Sequence, residues 1–267
     1  MIAPANKNYP NIAQSFGITG IVILGLLLMS PVYLALGKLI GDEAALLVYY
    51  LLGIGIPFWI VYAIKMNKTE NCSFNVTIEN KRIIPFLIFG TLAFHSGIVL
   101  PIVSLVPMPE SIQKTFMDFL SHTGVFAFIL MVFAAPVFEE LIFRGIILEG
   151  LLKKYSPVLS IMISSLLFGI VHLNPWQFIT GFIFGIFSGW VYYKTRSLLL
   201  SVIIHATINL TGFLSRYAAG PDMTSTDNSL SGIYGGLTNL VLVIFGSIII
   251  FLGCIFFIRK YLNKQLT

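Results

Sequence analysis

Eight long apolar stretches, each about the length of a membrane helix, constrain this chain more than any other feature. They run approximately over residues 14–38, 44–64, 83–106, 121–152, 157–174, 176–193, 197–215 and 233–258. A helix needs about 20 mainly apolar residues to cross the hydrocarbon core of a bilayer. The stretches therefore predict an all-α fold, a polytopic transmembrane helical bundle of about eight membrane-spanning helices.

The composition excludes an ordinary water-soluble domain. Hydrophobic residues make up 57% of the chain and charged residues only 10%, against about 25% charged residues in a typical soluble domain. A soluble domain of ~300 residues buries only about three quarters of its unfolded surface, so it could not hide this much apolar area. The two cysteines, Cys72 and Cys254, form neither a disulfide framework nor a CxxC metal motif. Lys7 and the apolar run that follows indicate a first membrane helix rather than a removed signal peptide.

Basic residues follow an alternating pattern between the apolar stretches. If the N-terminus is cytoplasmic, most of them fall in cytoplasmic segments: Lys7, Lys65, Lys68, Lys81, Arg82, Lys153, Lys154, Lys194, Arg196, Arg259, Lys260 and Lys264. Lys38, Lys114 and Arg216 fall on the other side. By the positive-inside rule this asymmetry predicts that both termini are cytoplasmic. Residues 1–267 then form a single integral membrane domain whose partner is the lipid bilayer, and no basic patch indicates nucleic acid. The short loops and the Lys/Ile-rich character favour a bacterial plasma membrane.

The fourth stretch carries charges where an apolar helix should have none. Each charged side chain at mid-bilayer costs at least about 2.5–3.5 kcal/mol, and such residues usually mark a functional site. Glu140 and Arg144 are four residues apart, so they share a helix face and are predicted to pair. Glu139 is rotated by about 100° from Glu140 and has no such partner on its own helix. Glu139 is therefore the candidate general base or acid, with a structural carboxylate or a proton relay as the alternatives.

Two histidines on other stretches join this carboxylate in a candidate site. His172 lies near the end of the fifth stretch, and His205 lies in the seventh, four residues before Asn209 on the same helix face. At about 1.5 Å per residue, these side chains and Glu139 lie at depths compatible with one cavity. One Glu and two His could bind a metal ion or hold a water molecule. Asn209 beside His205 could donate a hydrogen bond to a developing oxyanion.

Other residues in the apolar stretches favour structural roles. His95 is predicted to be a buried, hydrogen-bonded side chain, and His122 to cap or border a helix. Phe168 is interpreted as packing that orients its helix. Small residues at Gly181, Gly185 and Gly189 repeat every four positions, which predicts close helix packing within the bundle.

The three strings Glu139-Glu140-x3-Arg144, Phe168-x3-His172 and His205-x3-Asn209 occur in this order on separate predicted helices. Together they resemble the CAAX protease and bacteriocin-processing family, which includes the type II CAAX prenyl endopeptidases. The resemblance covers a catalytic core of roughly residues 121–215.

This resemblance implies an intramembrane endopeptidase that cleaves hydrophobic or membrane-associated peptide and protein substrates. The resemblance implies a role for each matching motif residue. Glu139 would activate the hydrolytic water and His172 would help to hold it, while His205 and Asn209 would stabilise the oxyanion. Glu140 belongs to the implied catalytic set and shapes the site together with Arg144, while Arg144 and Phe168 give structural support. The family leaves two mechanisms open: zinc bound through Glu139, His172 and His205, or a metal-independent glutamate-dependent reaction.

Two other functions remain as alternatives to peptidase activity. A non-catalytic membrane scaffold or bacteriocin-immunity factor would retain the fold without needing intact motifs. A proton- or ion-coupled transporter would use Glu139 and the histidines as relay groups, but it would not account for all three motifs together. Transporters also often show internal repeats, and none is evident in this sequence.

Overall fold

The computed structural model describes residues 9–69, 73–109, 112, 121–219, 232 and 234–263. Eight helices lie within these ranges: α1 (Ile12–Ile40), α2 (Asp42–Lys68), α3 (Ile83–Ser104), α4 (Val125–Leu151), α5 (Pro157–Ile170), α6 (Pro175–Thr195), α7 (Leu198–Ala219) and α8 (Leu237–Asn263). No β-strand occurs in the described part of the chain. The predicted all-α fold is therefore confirmed. Cys72 and most of the polar segment before α8 lie outside the described residues.

Six of the eight helices are long and apolar enough to cross a membrane, namely all except α5 and α6. Helix α5 has 14 residues, which span about 21 Å and fall short of a hydrocarbon core of about 30 Å. Helix α6 has 21 residues, but glycine, tyrosine and polar side chains dilute its apolar character. The polytopic helical bundle is confirmed. Within the described ranges, six of the eight helices have the length and composition of a membrane span.

The chain divides into two compact units that interleave in sequence. The first comprises Met1–Thr77 and Gly124–Val202, and the second comprises Ile78–Thr123 and Ile203–Thr267. The first unit thus holds α1, α2, α4, α5 and α6, whereas the second holds α3, most of α7, and α8. The segment 121–215, predicted as a catalytic core, contributes to both units.

In the first unit, α5 and α6 form the helical hairpin that the short link between them predicts. The Asn174 side chain accepts a hydrogen bond from the backbone N–H of Gln177 at 2.8 Å, which satisfies one of the open donors at the helix start. Pro175 occupies the first helical position, where its missing N–H is not needed. Local sequence therefore determines where this hairpin turns.

The glycine stripe on α6 is the surface that packs against α5. A Cβ atom on Gly185 would lie 2.9 Å from Ser165 Cβ and 3.0 Å from Ser165 Cα, and one on Gly189 would lie 3.2 Å from Ile161 Cγ2. Gly181 faces the backbone of Gly169 at a similar distance. The prediction that these glycines serve packing within the bundle is confirmed.

We expect Gly185→Ala to destabilise the protein by about 1–3 kcal/mol, because the added methyl group would overlap the Ser165 backbone in a closely packed helix pair. Thermal unfolding of the purified protein in detergent micelles would measure the change. Gly17→Ala is the matched control, since a Cβ on this α1 glycine meets no atom within 4 Å. Equal unfolding temperatures for the two variants would contradict the packing argument.

The second unit is built mainly by α3 packed against α8. A Cβ on Gly97 would overlap the Ser247 side chain, and one on Gly90 would lie 3.1 Å from Cys254 Cβ. The rings of Phe94 and Phe251 stack with their centroids 4.9 Å apart. Close helix contact of this kind is the main source of cohesion between membrane helices, because lipid tails are as apolar as the side chains.

Candidate active site

Helix α4 changes its hydrogen-bonding pattern on both sides of the two adjacent glutamates. Its segments Ile129–Ala134 and Leu141–Leu148 are π-helical, and the short α-helical stretch Ala135–Glu140 between them ends with Glu139 and Glu140. Single π-helical turns occur frequently at functional sites. The two carboxylates therefore lie at the junction between α-helical and π-helical backbone.

Glu140 and Arg144 form the predicted ion pair at the centre of the first unit. Arg144 Nε lies 3.1 Å from Glu140 Oε2, and both side chains are fully buried. The Ser188 hydroxyl donates to Glu140 Oε2 at 3.4 Å, and Arg144 Nη2 donates to the Gly185 carbonyl at 3.4 Å. Arg144 thus links α4 to α6, and its charge is matched by the carboxylate one turn before it.

Phe168 connects this ion pair to His172. The Arg144 guanidinium lies 4.5 Å from the centre of the buried Phe168 ring, a distance that suits a cation–π interaction. The same ring meets the His172 ring edge-on, with centroids 5.2 Å apart, and packs against Phe143 at 5.2 Å. Phe168 therefore packs between Arg144 and His172, and its predicted role in supporting the site stays a prediction.

His172 is held in one orientation by the end of α5. Its Nδ1 atom lies 2.8 Å from the Phe168 carbonyl oxygen, and a carbonyl oxygen can only accept, so Nδ1 carries the proton in this hydrogen bond. In the neutral ring, Nε2 then bears the lone pair. The next residue, Leu173, has φ 55°, a conformation that leucine rarely adopts, and this tight turn places His172 between α5 and α6.

Glu139 projects away from the ion pair towards α2. The Tyr50 hydroxyl donates to Glu139 Oε1 at 2.5 Å, and the Glu139 side chain is half-buried. Sequence reasoning missed Tyr50, although a signal existed. Tyr50 lies 15 residues before Lys65 and Glu139 lies 14 residues before Lys153, so both lie about 20 Å from the basic end of their helices.

Glu139 and His172 line the same cavity, which has a volume of about 190 Å³. The other lining residues come from α1, from α2 and from positions close in sequence to Glu139 and His172. They are Val22, Leu26, Tyr49, Tyr50, Ile54, Phe143 and Val171. A water molecule takes up about 30 Å³ of liquid volume, so the cavity has room for water beside the carboxylate. A carboxylate, an imidazole and a phenol in mainly apolar walls form a setting suited to acid–base chemistry.

His205 and Asn209 belong to the second unit. Both lie on α7, four residues apart and therefore on one face of that helix; His205 is buried and Asn209 is half-buried. Their predicted role as oxyanion-stabilising groups stays a prediction. His95, within the π-helical segment His95–Val99 of α3, and His122 also belong to the second unit.

A zinc site requires at least three protein donors in catalytic centres. Across the described ranges, the structure gathers no group of three or more His, Cys, Asp or Glu side chains that could hold a metal ion. Glu139 and His172 by themselves do not complete such a donor set. A metal site formed by Glu139, His172 and His205 therefore stays a prediction.

Comparisons with known proteins identify the segment that carries the three motifs. Residues 121–211 match the family model described as type II CAAX prenyl endopeptidase Rce1-like. The chain is also 35% identical over 78 residues to the UPF0177 protein YxdF of Lactococcus lactis subsp. lactis strain IL1403, a match that covers 29% of this chain and 42% of that protein. The chain thus spans less than half the length of this curated relative. No solved structure matches the chain.

Proposed function

We propose that the chain is an intramembrane endopeptidase, on the premise that residues 121–211 match the Rce1-like family model. The observation that supports the proposal most directly is the cavity that Glu139 and His172 share. A multi-pass helical protein with a carboxylate and an imidazole in one apolar cavity is well suited to activate water away from the bulk solvent. The proposed substrates are hydrophobic peptides or membrane proteins, whose scissile bonds must be hydrolysed at the level of the bilayer.

In the proposed reaction, Glu139 takes a proton from a water molecule that His172 positions through Nε2. The resulting hydroxide attacks the carbonyl carbon of the scissile peptide bond and forms a tetrahedral oxyanion. Glu139 then returns the proton to the departing nitrogen as the C–N bond breaks, which yields a carboxylic acid and an amine. General acid–base catalysis of this type contributes about 10²–10⁴-fold to a rate.

The remaining motif residues would support this chemistry. His205 and Asn209 are proposed to donate hydrogen bonds to the oxyanion, the interaction that most often dominates acyl-transfer catalysis. Glu140 and Arg144 are proposed to act as a buried structural pair, since their charges neutralise each other at 3.1 Å. Phe168 is proposed to act through its neighbours, because its ring packs between Arg144 and His172.

The proposed location is a bacterial plasma membrane. The short loops support it, as does the bacterial origin of the similar protein from Lactococcus lactis. In a bacterium a prenylated substrate is not expected, and a leader peptide, pheromone or bacteriocin precursor is the proposed substrate class.

Purified protein with a quenched fluorescent peptide tests the proposal. We expect cleavage by the unmodified protein and its loss in Glu139→Ala, His172→Ala and His205→Ala, each checked for folding by thermal unfolding. Retained cleavage in all three variants would refute the assigned site. No cleavage of any peptide together with ion-dependent flux in liposomes would indicate a transporter, and loss of activity on treatment with a chelator would indicate a metal-dependent mechanism.

We expect Tyr50→Phe to lower kcat for peptide cleavage by about tenfold or more, because hydrogen bonds to charged groups are worth about 1.5–3 kcal/mol. Tyr50 would act as a positioning residue that holds the Glu139 carboxylate towards the water, so KM should stay close to that of the unmodified protein. The unfolding temperature should fall, because the same hydrogen bond is lost from the fold. Tyr49→Phe removes a hydroxyl from the neighbouring lining residue and serves as the control. Equal rates in the two variants would show that the hydroxyl of Tyr50 has no special role.

A further inference from the structure

The first unit contains a second cavity where α2, α4 and α6 end. It has a volume of about 360 Å³, within the range of about 300–1,000 Å³ that is typical of small-molecule sites. It is lined by Lys65 from the last turn of α2, by Glu149 near the end of α4 and Lys153 just after it, and by Tyr192 near the end of α6 and Arg196 just after it. It shares no lining residue with the cavity of Glu139 and His172. Glu149 lies about 15 Å along α4 from Glu139.

The charged groups lining this second cavity are mainly basic. Of the described lining residues, Lys65, Lys153 and Arg196 are cationic, whereas Glu149 is anionic. Glu149 Oε2 is engaged within the cavity wall, since Arg196 Nη1 lies 2.9 Å from it and the Tyr192 hydroxyl donates to it at 3.0 Å. The lining therefore carries an excess of positive charge, which favours an anionic ligand.

The solvent exposure of the lining side chains differs between the two sides of the second cavity. Lys65 is only 3% exposed, and its ammonium donates to the Gly145 carbonyl at 3.0 Å and lies 5.1 Å from the centre of the Phe74 ring. The Arg196 side chain is 46% exposed, and Lys153 is exposed. The cavity is thus closed around Lys65 and open towards Lys153 and Arg196, so a ligand can enter from the side of the helix ends.

These helix ends form the basic face of the first unit. Lys68 at the end of α2 lies 5.0 Å from the centre of the Tyr9 ring, just before α1, and Gly150 near the end of α4 contacts Pro10. The start of α1 and the ends of α2 and α4 therefore lie together, on the side that the positive-inside rule assigns to the cytoplasm. Anionic phospholipids give that leaflet a negative surface potential.

We propose that this cavity binds a phosphate group, supplied by the headgroup of an anionic phospholipid. The phosphate would lie between Lys153, Arg196 and the buried Lys65, and the adjoining glycerol would rest against Phe74 and Leu198, which also line the cavity. Phosphate esters keep their negative charge at neutral pH, and basic pockets between membrane helices on the cytoplasmic side suit such headgroups. A soluble phosphate ion or ester has the same chemistry and is distinguished by experiment. The site makes no use of Glu139 or His172, so it stands independently of the proposed peptidase activity.

Thermal unfolding of the purified full chain in a neutral detergent would test this site by titration with short-chain phosphatidylglycerol. We expect phosphatidylglycerol to raise Tm, with zwitterionic phosphatidylcholine producing little change. Lys153→Gln should weaken the apparent affinity for phosphatidylglycerol about fivefold, the effect of removing one basic residue near a membrane surface. Lys154→Gln is the matched control, because it removes the same charge from the adjacent, exposed position outside the lining.

Titration with inorganic phosphate distinguishes the two possible sources of the bound phosphate group, a lipid headgroup and a soluble phosphate compound. Stabilisation by inorganic phosphate equal to that by phosphatidylglycerol, and lost in Lys153→Gln, would assign the site to a soluble phosphate compound. Stabilisation by phosphatidylglycerol alone would assign it to the lipid. The proposal is overturned if neither probe stabilises the protein, or if Lys153→Gln and Lys154→Gln weaken binding equally.

Discussion

Glu139→Gln should reduce kcat for cleavage of a quenched peptide by about 10²–10⁴-fold, the usual contribution of a general acid–base group. The amide keeps the size of the side chain and still accepts the hydrogen bond from the Tyr50 hydroxyl, but it cannot take a proton from water at neutral pH. KM should change little, because the substitution alters neither the volume nor the apolar walls of the cavity. Single-turnover cleavage by protein in detergent micelles would measure the chemical step directly.

A substitution at a second carboxylate serves as a control, because it removes a negative charge without touching the cavity of Glu139. Asp42 lies exposed in the first turn of α2, so Asp42→Asn should retain the full rate. Unfolding temperatures of the two variants should match that of the unmodified protein. Cleavage by Glu139→Gln at the unmodified rate would eliminate Glu139 as the base, even if the chain proves to be a peptidase.

Arg144→Met should destabilise the protein by about 3–5 kcal/mol, the typical cost of removing one partner from a buried ion pair. The Glu140 carboxylate would then remain at the centre of the first unit without the guanidinium that lies 3.1 Å from it. The double variant Glu140→Leu with Arg144→Met should recover much of this loss, because apolar side chains can replace a buried pair at little net cost. Thermal unfolding in detergent would rank the stabilities of the unmodified protein, the single variant and the double variant.

The exposed ion pair at the end of α4 provides the comparison for this effect. Arg196 lies 2.9 Å from Glu149, with side chains 46% and 27% exposed, and pairs of this kind contribute about 0–1 kcal/mol. Arg196→Met should therefore change stability far less than Arg144→Met. Similar losses in the two variants would show that burial of the Glu140–Arg144 pair does not determine its effect.

The two adjacent glutamates thus have different expected roles because the helix directs them to different surroundings. Glu140 is enclosed with Arg144 and contacts Ser188 of α6, so its loss should be seen first in stability. Glu139 contacts Tyr50 and the cavity, so its loss should be seen first in the rate. Measuring both properties in both variants distinguishes a structural carboxylate from a reactive one.

Features that depend on neighbours along the chain could be predicted from the sequence. The pairing of Glu140 with Arg144 follows from their separation of four residues, because helical geometry brings such residues together wherever the helix lies. The hairpin between α5 and α6 follows from Asn174 and Pro175, which determine the start of a helix locally. The all-helical membrane fold follows from the lengths of the apolar stretches, since a lipid environment requires the backbone to satisfy its hydrogen bonds internally.

Features that depend on packing between distant segments were decided only by the tertiary structure. Tyr50 and Glu139 are 89 residues apart. Their similar depths follow from the sequence, but no pattern in either helix specifies that these faces of α2 and α4 meet. The same holds for Lys65, which reaches the Gly145 carbonyl 80 residues away, and for the basic cavity that three helix ends form together. Helix periodicity determines which residues share a face, whereas the choice of partner for that face arises from shape complementarity among all the helices of a unit. The sequence by itself therefore determined the membrane helices and the local ion pair, and the packing of the first unit decided what Glu139 and Lys65 contact.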